Sequence, residues 1–305
     1  MTTASDIAHH APGYRRGLGL VLLAGVFWSS MGLVVRLMEV AGPWQILFYR
    51  SACLTIFLFL VISLRSGGRP LVVYRKAGFS AVLGGLALVL AFGGSIFSVV
   101  NTTVANAMFL FATAPFFTAL LGLVILGERV RRATWLAMAV AAVGVVVMVS
   151  EGIALGHLLG NVAAVLSALG FAFFTIALRW KRASDMLPAV SLGGLFTTIV
   201  AGVACWSGGQ GFELPLRDIG LACFLGVFQL GVGLSLYTLG SKAVPAAELA
   251  LLSMTEVVLG PVWVLLFLGE SGALATWIGG AILMAAIAGN ALTRLRDRPP
   301  PVVLP

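Results

Sequence analysis

Two stretches of this 305-residue chain decide its fold when laid side by side: LGERVRRATW at residues 126–135 and LGESGALATW at residues 268–277. At an offset of 142, Leu126-Gly127-Glu128 meets Leu268-Gly269-Glu270, and Ala133-Thr134-Trp135 meets Ala275-Thr276-Trp277. Working outward, the same register aligns Gly84 with Gly226, Ala105 with Ala247, Leu110 with Leu252 and Thr113 with Thr255, and an offset of 143 brings Arg36 onto Arg179. An apolar composition inflates single matches, but two triplets seven residues apart are hard to obtain by chance. The chain is a duplication.

What is duplicated belongs in lipid. Hydrophobic residues make up 60% of the chain and Asp, Glu, Lys and Arg only 10%, with a mean hydropathy of +1.07. A water-soluble domain carries about 25% charged residues to cover its surface. A helix crosses a ~30 Å hydrocarbon core with about 20 apolar residues. Apolar runs bounded by charge, Gly or Pro predict ten such spans, at 18–38, 43–64, 77–98, 103–125, 132–150, 157–179, 188–207, 218–238, 246–268 and 272–292. None shows the period-two alternation of a membrane barrel strand. The expected fold class is an all-α membrane protein of ten transmembrane helices.

Alternate loops test that count. One side collects Arg15, Arg16, Arg65, Arg69, Arg75, Lys76, Arg129, Arg131, Arg132, Arg179, Lys181, Arg182, Lys242, Arg294, Arg296 and Arg298; the other has only Arg36 and Arg217, and Arg50, within the second span, is the one left over. Adding or dropping a helix early in the chain would scramble this split. Positive charge marks the cytoplasmic side, so both termini are expected in the cytoplasm of a multi-pass inner-membrane protein. The net charge of +8 is therefore orientation charge, with no basic stripe or arm for nucleic acid. Cys53, Cys205 and Cys223 are odd in number and lie within apolar runs, and His9, His10 and His157 share no ligand spacing, which argues against a disulfide framework and a metal site. The first apolar run is too long for the h-region of a signal peptide.

Five helices per copy is an odd number, so the second copy crosses the membrane in the opposite sense, with Glu128 inside and Glu270 outside. Inverted repeats around a central cavity, with the solute site near the midplane between them, are a transporter architecture that works by alternating access.

The Leu-Gly-Glu motifs at 126–128 and 268–270, Pro115 and Pro261 upstream of them, and Arg50 in the second span give the chain a resemblance to the drug/metabolite transporter superfamily, in its ten-helix branch with two fused EamA-type repeats. On this reading residues 18–150 form the first repeat and 157–292 the second, between cytoplasmic tails at 1–17 and 293–305. Trp28 in the first span and Pro43-Trp44 opening the second are similar to bacterial aromatic amino acid exporters of that superfamily. The resemblance implies an inner-membrane carrier that moves small organic solutes without ATP.

Polar groups inside the spans are the candidate substrate-binding residues, because a charge at the bilayer centre costs about 2.5 to 3.5 kcal/mol on insertion scales and normally faces a partner or a cavity. Glu256 lies about 15 Å into the ninth span and Arg50 roughly 10 Å into the second at 1.5 Å per residue. They fit either an ion pair that fixes packing or two walls of one site, with Glu256 meeting an amine and Arg50 a carboxylate. Trp28 lies mid-span, unlike Trp44, Trp180, Trp206 and Trp277, which suit the interfacial belt. Ser95 with its repeat mate Tyr237, Asn106 and Gln229 offer hydrogen bonds to a solute or between helices; Phe92 and Phe171 fit an aromatic lining, lipid or a neighbouring helix. Pro115 and Pro261 each remove a backbone bond, freeing the carbonyls of Phe111 and Val257, and suit a gate hinge or a tolerated kink. Glu128 and Glu270 are read as helix-dipole carboxylates without solute contact.

No lysine follows a glycine run as in a phosphate loop, and no nucleophile and base stand at a catalytic spacing. The leading expectation is a monomeric exporter of amino acids, possibly aromatic, with a small-molecule substrate and the bilayer as partners and no cofactor. Cationic drugs or nucleobase metabolites are the alternative substrates, and an intramembrane enzyme is a distant one.

Overall fold

The computed structural model describes residues 13–154, 156–180, 185–241, 243–244, 249, 252 and 254–296. The outer parts of both tails, Lys181, Arg182, Lys242, Ala247 and the first turns expected of the ninth span lie outside the described residues. In hydrocarbon every backbone N–H and C=O must be satisfied within its own segment, and among the described residues the regular structure is helical throughout. The helices are α1 Tyr14–Arg36, α2 Pro43–Arg65, α3 Pro70–Asn101, α4 Val104–Leu126, α5 Arg132–Ser150, α6 Leu158–Trp180, α7 Leu187–Ser207, α8 Leu216–Gly240, the shorter α9 Met254–Leu268, and α10 Leu274–Thr293, whose last turn runs on to Arg296.

Local sequence explains the ends. Pro43, Pro70 and Pro188 stand in the first turns of α2, α3 and α7, where a missing N–H costs nothing. Gly127 and Gly269 follow α4 and α9 at φ 67° and 68°, a left-handed conformation that favours glycine as a helix terminator. Each is followed by its glutamate, whose N–H reaches back to Gly122 O at 3.1 Å or Val264 O at 3.2 Å. The repeat register seen in the sequence is thus a repeated cap.

The outward faces are as apolar as the core. In α2, Leu47, Leu54 and Leu58 are fully buried, while Ile56, Leu60 and Leu64 on other faces of the same helix are 61%, 55% and 83% exposed. A soluble helix puts charge on such a face; here the face suits acyl chains.

The largest packings all cross between the repeats: α3 on α6 and α7, α8 on α1 and α2, α4 on α6, α9 on α1, α2 on α7, and α5 on α10. Exchanging α1–α5 for α6–α10 maps this set onto itself. That is the signature of a pseudo-two-fold, and with five helices per unit the two units run in opposite senses.

Four helices depart from regularity. α1 breaks at Ser30 into Tyr14–Ser29 and Met31–Arg36. α3 bends at Gly78. α4 breaks into Val104–Phe111 and Ala114–Leu126, so that Pro115 opens a new helical piece. Within α8 the stretch Leu225–Val232 is π-helical.

Candidate functional site

The π-helical stretch positions the centre of the site. Such a stretch widens a helix by one residue per turn and is frequent at functional sites. Here it swings Gln229 toward α2, and the approach is closed by Gly226, where a Cβ would run into the carbonyl oxygen of Arg50. Gln229 and Arg50 are 4% and 2% exposed. Arg50 Nη2 donates to Gln229 Oε1 at 3.5 Å, the guanidinium carbon stands 5.4 Å from the centre of the Phe92 ring, and Nε and Nη1 have no hydrogen-bond partner among the described residues. On its other side Gln229 Nε2 donates to Trp28 O at 3.4 Å.

One face of α8 then continues the site. Gln229, Gly233 and Tyr237 are spaced four apart, so they line up along the helix. Gly233 lies against the Trp28 indole, and the Tyr237 ring stands 5.3 Å from it at 41°. Trp28, Arg50, Phe92, Gln229 and Tyr237, drawn from α1, α2, α3 and α8, form one continuous chain of contacts between the two repeats. It joins a cation, a carboxamide and three aromatic rings.

The remaining candidates lie elsewhere. Glu256 in α9 is half-buried and makes no ion pair or hydrogen bond with the described residues, so of the two arrangements open to it the ion pair with Arg50 does not form. It sits beside Thr255, which packs on Gly25 of α1, and Trp263 Nε1 of the same helix donates to Ser29 Oγ at 2.9 Å; α9 therefore lies along α1 within a turn of Trp28. Ser95 donates to Phe92 O within its own helix. Phe171 is 40% exposed and meets Phe111 and Phe174. Pro115 is exposed at the break in α4, whereas Pro261 is buried inside a continuous α9. At the offset of 142 Pro115 faces Val257 rather than Pro261, so the two prolines are not repeat mates.

A model described as the EamA-like transporter family matches twice, over residues 15–150 and 156–292. The chain belongs to the EamA-like transporter family. It is 27% identical over 281 residues to the pseudopaline exporter CntI of Pseudomonas aeruginosa, covering 89% of this chain and 94% of that protein. It is likewise 27% identical over 276 residues to protein RarD of Streptomyces exfoliatus, covering 85% and 83%, and 24% identical over 288 residues to the uncharacterized transporter YwfM of Bacillus subtilis, covering 88% and 90%. A crystal structure at 17% identity superposes with a TM-score of 0.61 over 93% of this chain and 99% of that one, which speaks to the fold alone.

This EamA-like transporter also carries polar contacts that reading along the chain missed. Glu270 accepts from Arg36 at 2.6 and 3.3 Å and from Val104 N at 2.9 Å, while Arg36 also donates to Thr102 O at 2.7 Å. Glu128 accepts from Arg179 at 2.6 Å. Both pairs join one repeat to the other, and they lie at opposite ends of the bundle. To the helix-dipole reading of the two glutamates the structure adds an arginine partner for each, and Glu270 takes the first N–H of α4. The offsets that align Arg36 with Arg179 and Glu128 with Glu270 carried the signal. Asn106 Nδ2 donates to Asn161 Oδ1 and to Thr102 Oγ1, leaving Asn106 Oδ1 and Asn161 Nδ2 without a partner among the described residues; Asn106 is thus inter-repeat packing beside the Arg36–Glu270 pair. Asp218, 1% exposed, accepts from the N–H groups of Glu39, Val40 and Ala41 at 3.3, 3.1 and 3.1 Å. Asn161 and Asp218 stand near the ends of their apolar runs, where polar residues draw no attention.

Proposed function

We propose that this EamA-like transporter exports amino acids and related small metabolites across the inner membrane by alternating access, with the solute held between the repeats by the Arg50, Gln229, Trp28 and Tyr237 chain. The observation that carries this reading is Arg50: a buried cation with two guanidinium nitrogens unpaired among the described residues. Unmade hydrogen bonds at a charged group in a low-dielectric interior are costly, and a carboxylate from the solute satisfies them with charge-assisted bonds. The aromatic rings beside it suit an apolar or aromatic body on the same solute. The arginine-rich loops support cytoplasmic termini, and the name of the Pseudomonas relative supports the outward direction.

The test is transport by the purified protein in liposomes loaded with labelled amino acids. Release or exchange of at least one is expected, with Arg50→Gln reducing it about tenfold or more, the scale of one charge-assisted hydrogen bond, and Trp28→Ala lowering it most for aromatic solutes. A panel of amino acids with no movement under any ion gradient overturns the reading.

A second reading, export of cationic drugs, is favoured by Glu256, a half-buried carboxylate without an ion pair among the described residues. It requires Glu256→Gln to abolish transport of a quaternary ammonium dye while Arg50→Gln leaves it intact.

A further inference from the structure

The partner that the fold gives Arg50 is neutral. Among the described residues the one side-chain oxygen that accepts from the guanidinium is Gln229 Oε1, at the outer limit of hydrogen-bond distance, and a cation that deep in an apolar bundle ordinarily recruits a carboxylate. A carboxylate at position 229 would have the same length and stand in the same place, because Gly226 and the π-helical turn fix that part of α8 against α2. The side chain is also 4% exposed, so bulk solvent does not screen the guanidinium charge.

We propose that Gln229 is the specificity-determining residue of this site. By meeting Arg50 with a carboxamide it leaves the guanidinium charge to be balanced by the solute, and so selects a solute bearing a single carboxylate. Its other end, bonded to the Trp28 carbonyl, ties that selection to the helix that carries the indole. A phosphate dianion would call for more than the one cation present, and a purely cationic solute would meet Arg50 as a like charge. The inference rests on the reading of Arg50 as a carboxylate anchor and adds the residue that keeps the anchor available.

The test uses full-length protein in detergent, thermal unfolding as the readout, and L-phenylalanine, L-phenylalaninamide and benzoate as probes. Gln229→Glu supplies the missing counter-charge, so it is expected to unfold a few degrees above wild type without any probe. It is also expected to lose the upward shift that L-phenylalanine or benzoate gives wild type, through an affinity roughly tenfold or more weaker. Gln229→Met, uncharged but without the bonds to Arg50 and the Trp28 carbonyl, keeps a smaller shift with both carboxylates, and L-phenylalaninamide shifts none of the three. The proposal is overturned if Gln229→Glu unfolds at or below wild type, if the Glu and Met variants lose the response alike, or if wild type responds to neither carboxylate. A response to benzoate but not to L-phenylalanine supports Gln229 as selector while counting against amino acids. Transport of amino acids with a destabilised Gln229→Glu does the reverse.

Discussion

Asp218 shows how much a single side chain can hold in place. It lies in the first turn of α8, where a carboxylate suits the positive end of the helix, and it binds three successive N–H groups of the connection between α1 and α2. Asp218→Ala leaves those donors without their acceptor and is expected to cost about 1–3 kcal/mol, read as a lowered unfolding midpoint; Asp218→Asn, which keeps one acceptor oxygen, recovers part of it. Residues of this kind were hard to read from the chain because their partners lie about 180 positions away at an interface. Arg50, Gln229, Trp28 and Tyr237 were legible for the opposite reason. Deep in an apolar span a polar or amphipathic group is conspicuous, and depth along the helix can be counted. Which of the conspicuous groups converge was not legible: Glu256 and Arg50 share a depth but not a contact, and Ser95 turns back onto its own helix.

At the scale of the helix, equivalent positions in the two repeats do not carry equal weight. The Arg36–Glu270 pair has side chains 26% and 22% exposed and is backed by bonds to Thr102 O and Val104 N, whereas Arg179 and Glu128 are 46% and 43% exposed. Exposed ion pairs contribute about 0–1 kcal/mol, while removing the acceptor of partly buried donors costs about 1–3 kcal/mol. Glu270→Gln is therefore expected to lower stability measurably more than Glu128→Gln, and the reversed pair Arg36→Glu with Glu270→Arg to regain part of what either single reversal loses. Unfolding in detergent compares all five proteins; equal losses for Glu128→Gln and Glu270→Gln would remove the distinction. The prolines teach a related lesson. Each predicted a weakened turn: α4 does break, at Ala112–Thr113 just after the carbonyl that Pro115 frees, while Pro261 rides inside an unbroken helix. The π-helical run in α8 was not legible from periodicity, although the Gly226 within it is what lets α8 meet α2 so closely.

For the whole molecule, the architecture was legible almost entirely, because lipid permits so few ways to satisfy a backbone. Ten apolar runs, a one-sided distribution of Arg and Lys and a repeated Leu-Gly-Glu cap leave little freedom, and the cross-repeat packings follow the symmetry that the offset of 142 announces. Impermeant labelling of tags at the two ends is expected to find both on the cytoplasmic face; tags on opposite faces would contradict an even number of crossings. The crossed ion pairs carry the symmetry one step further. Each half bears an arginine at one end and a glutamate at the other, and neither meets a mate within its own half. A free-standing five-helix unit of this design would be charge-complementary only to an upside-down twin, so the present chain has the layout of an antiparallel dimer made permanent by gene fusion.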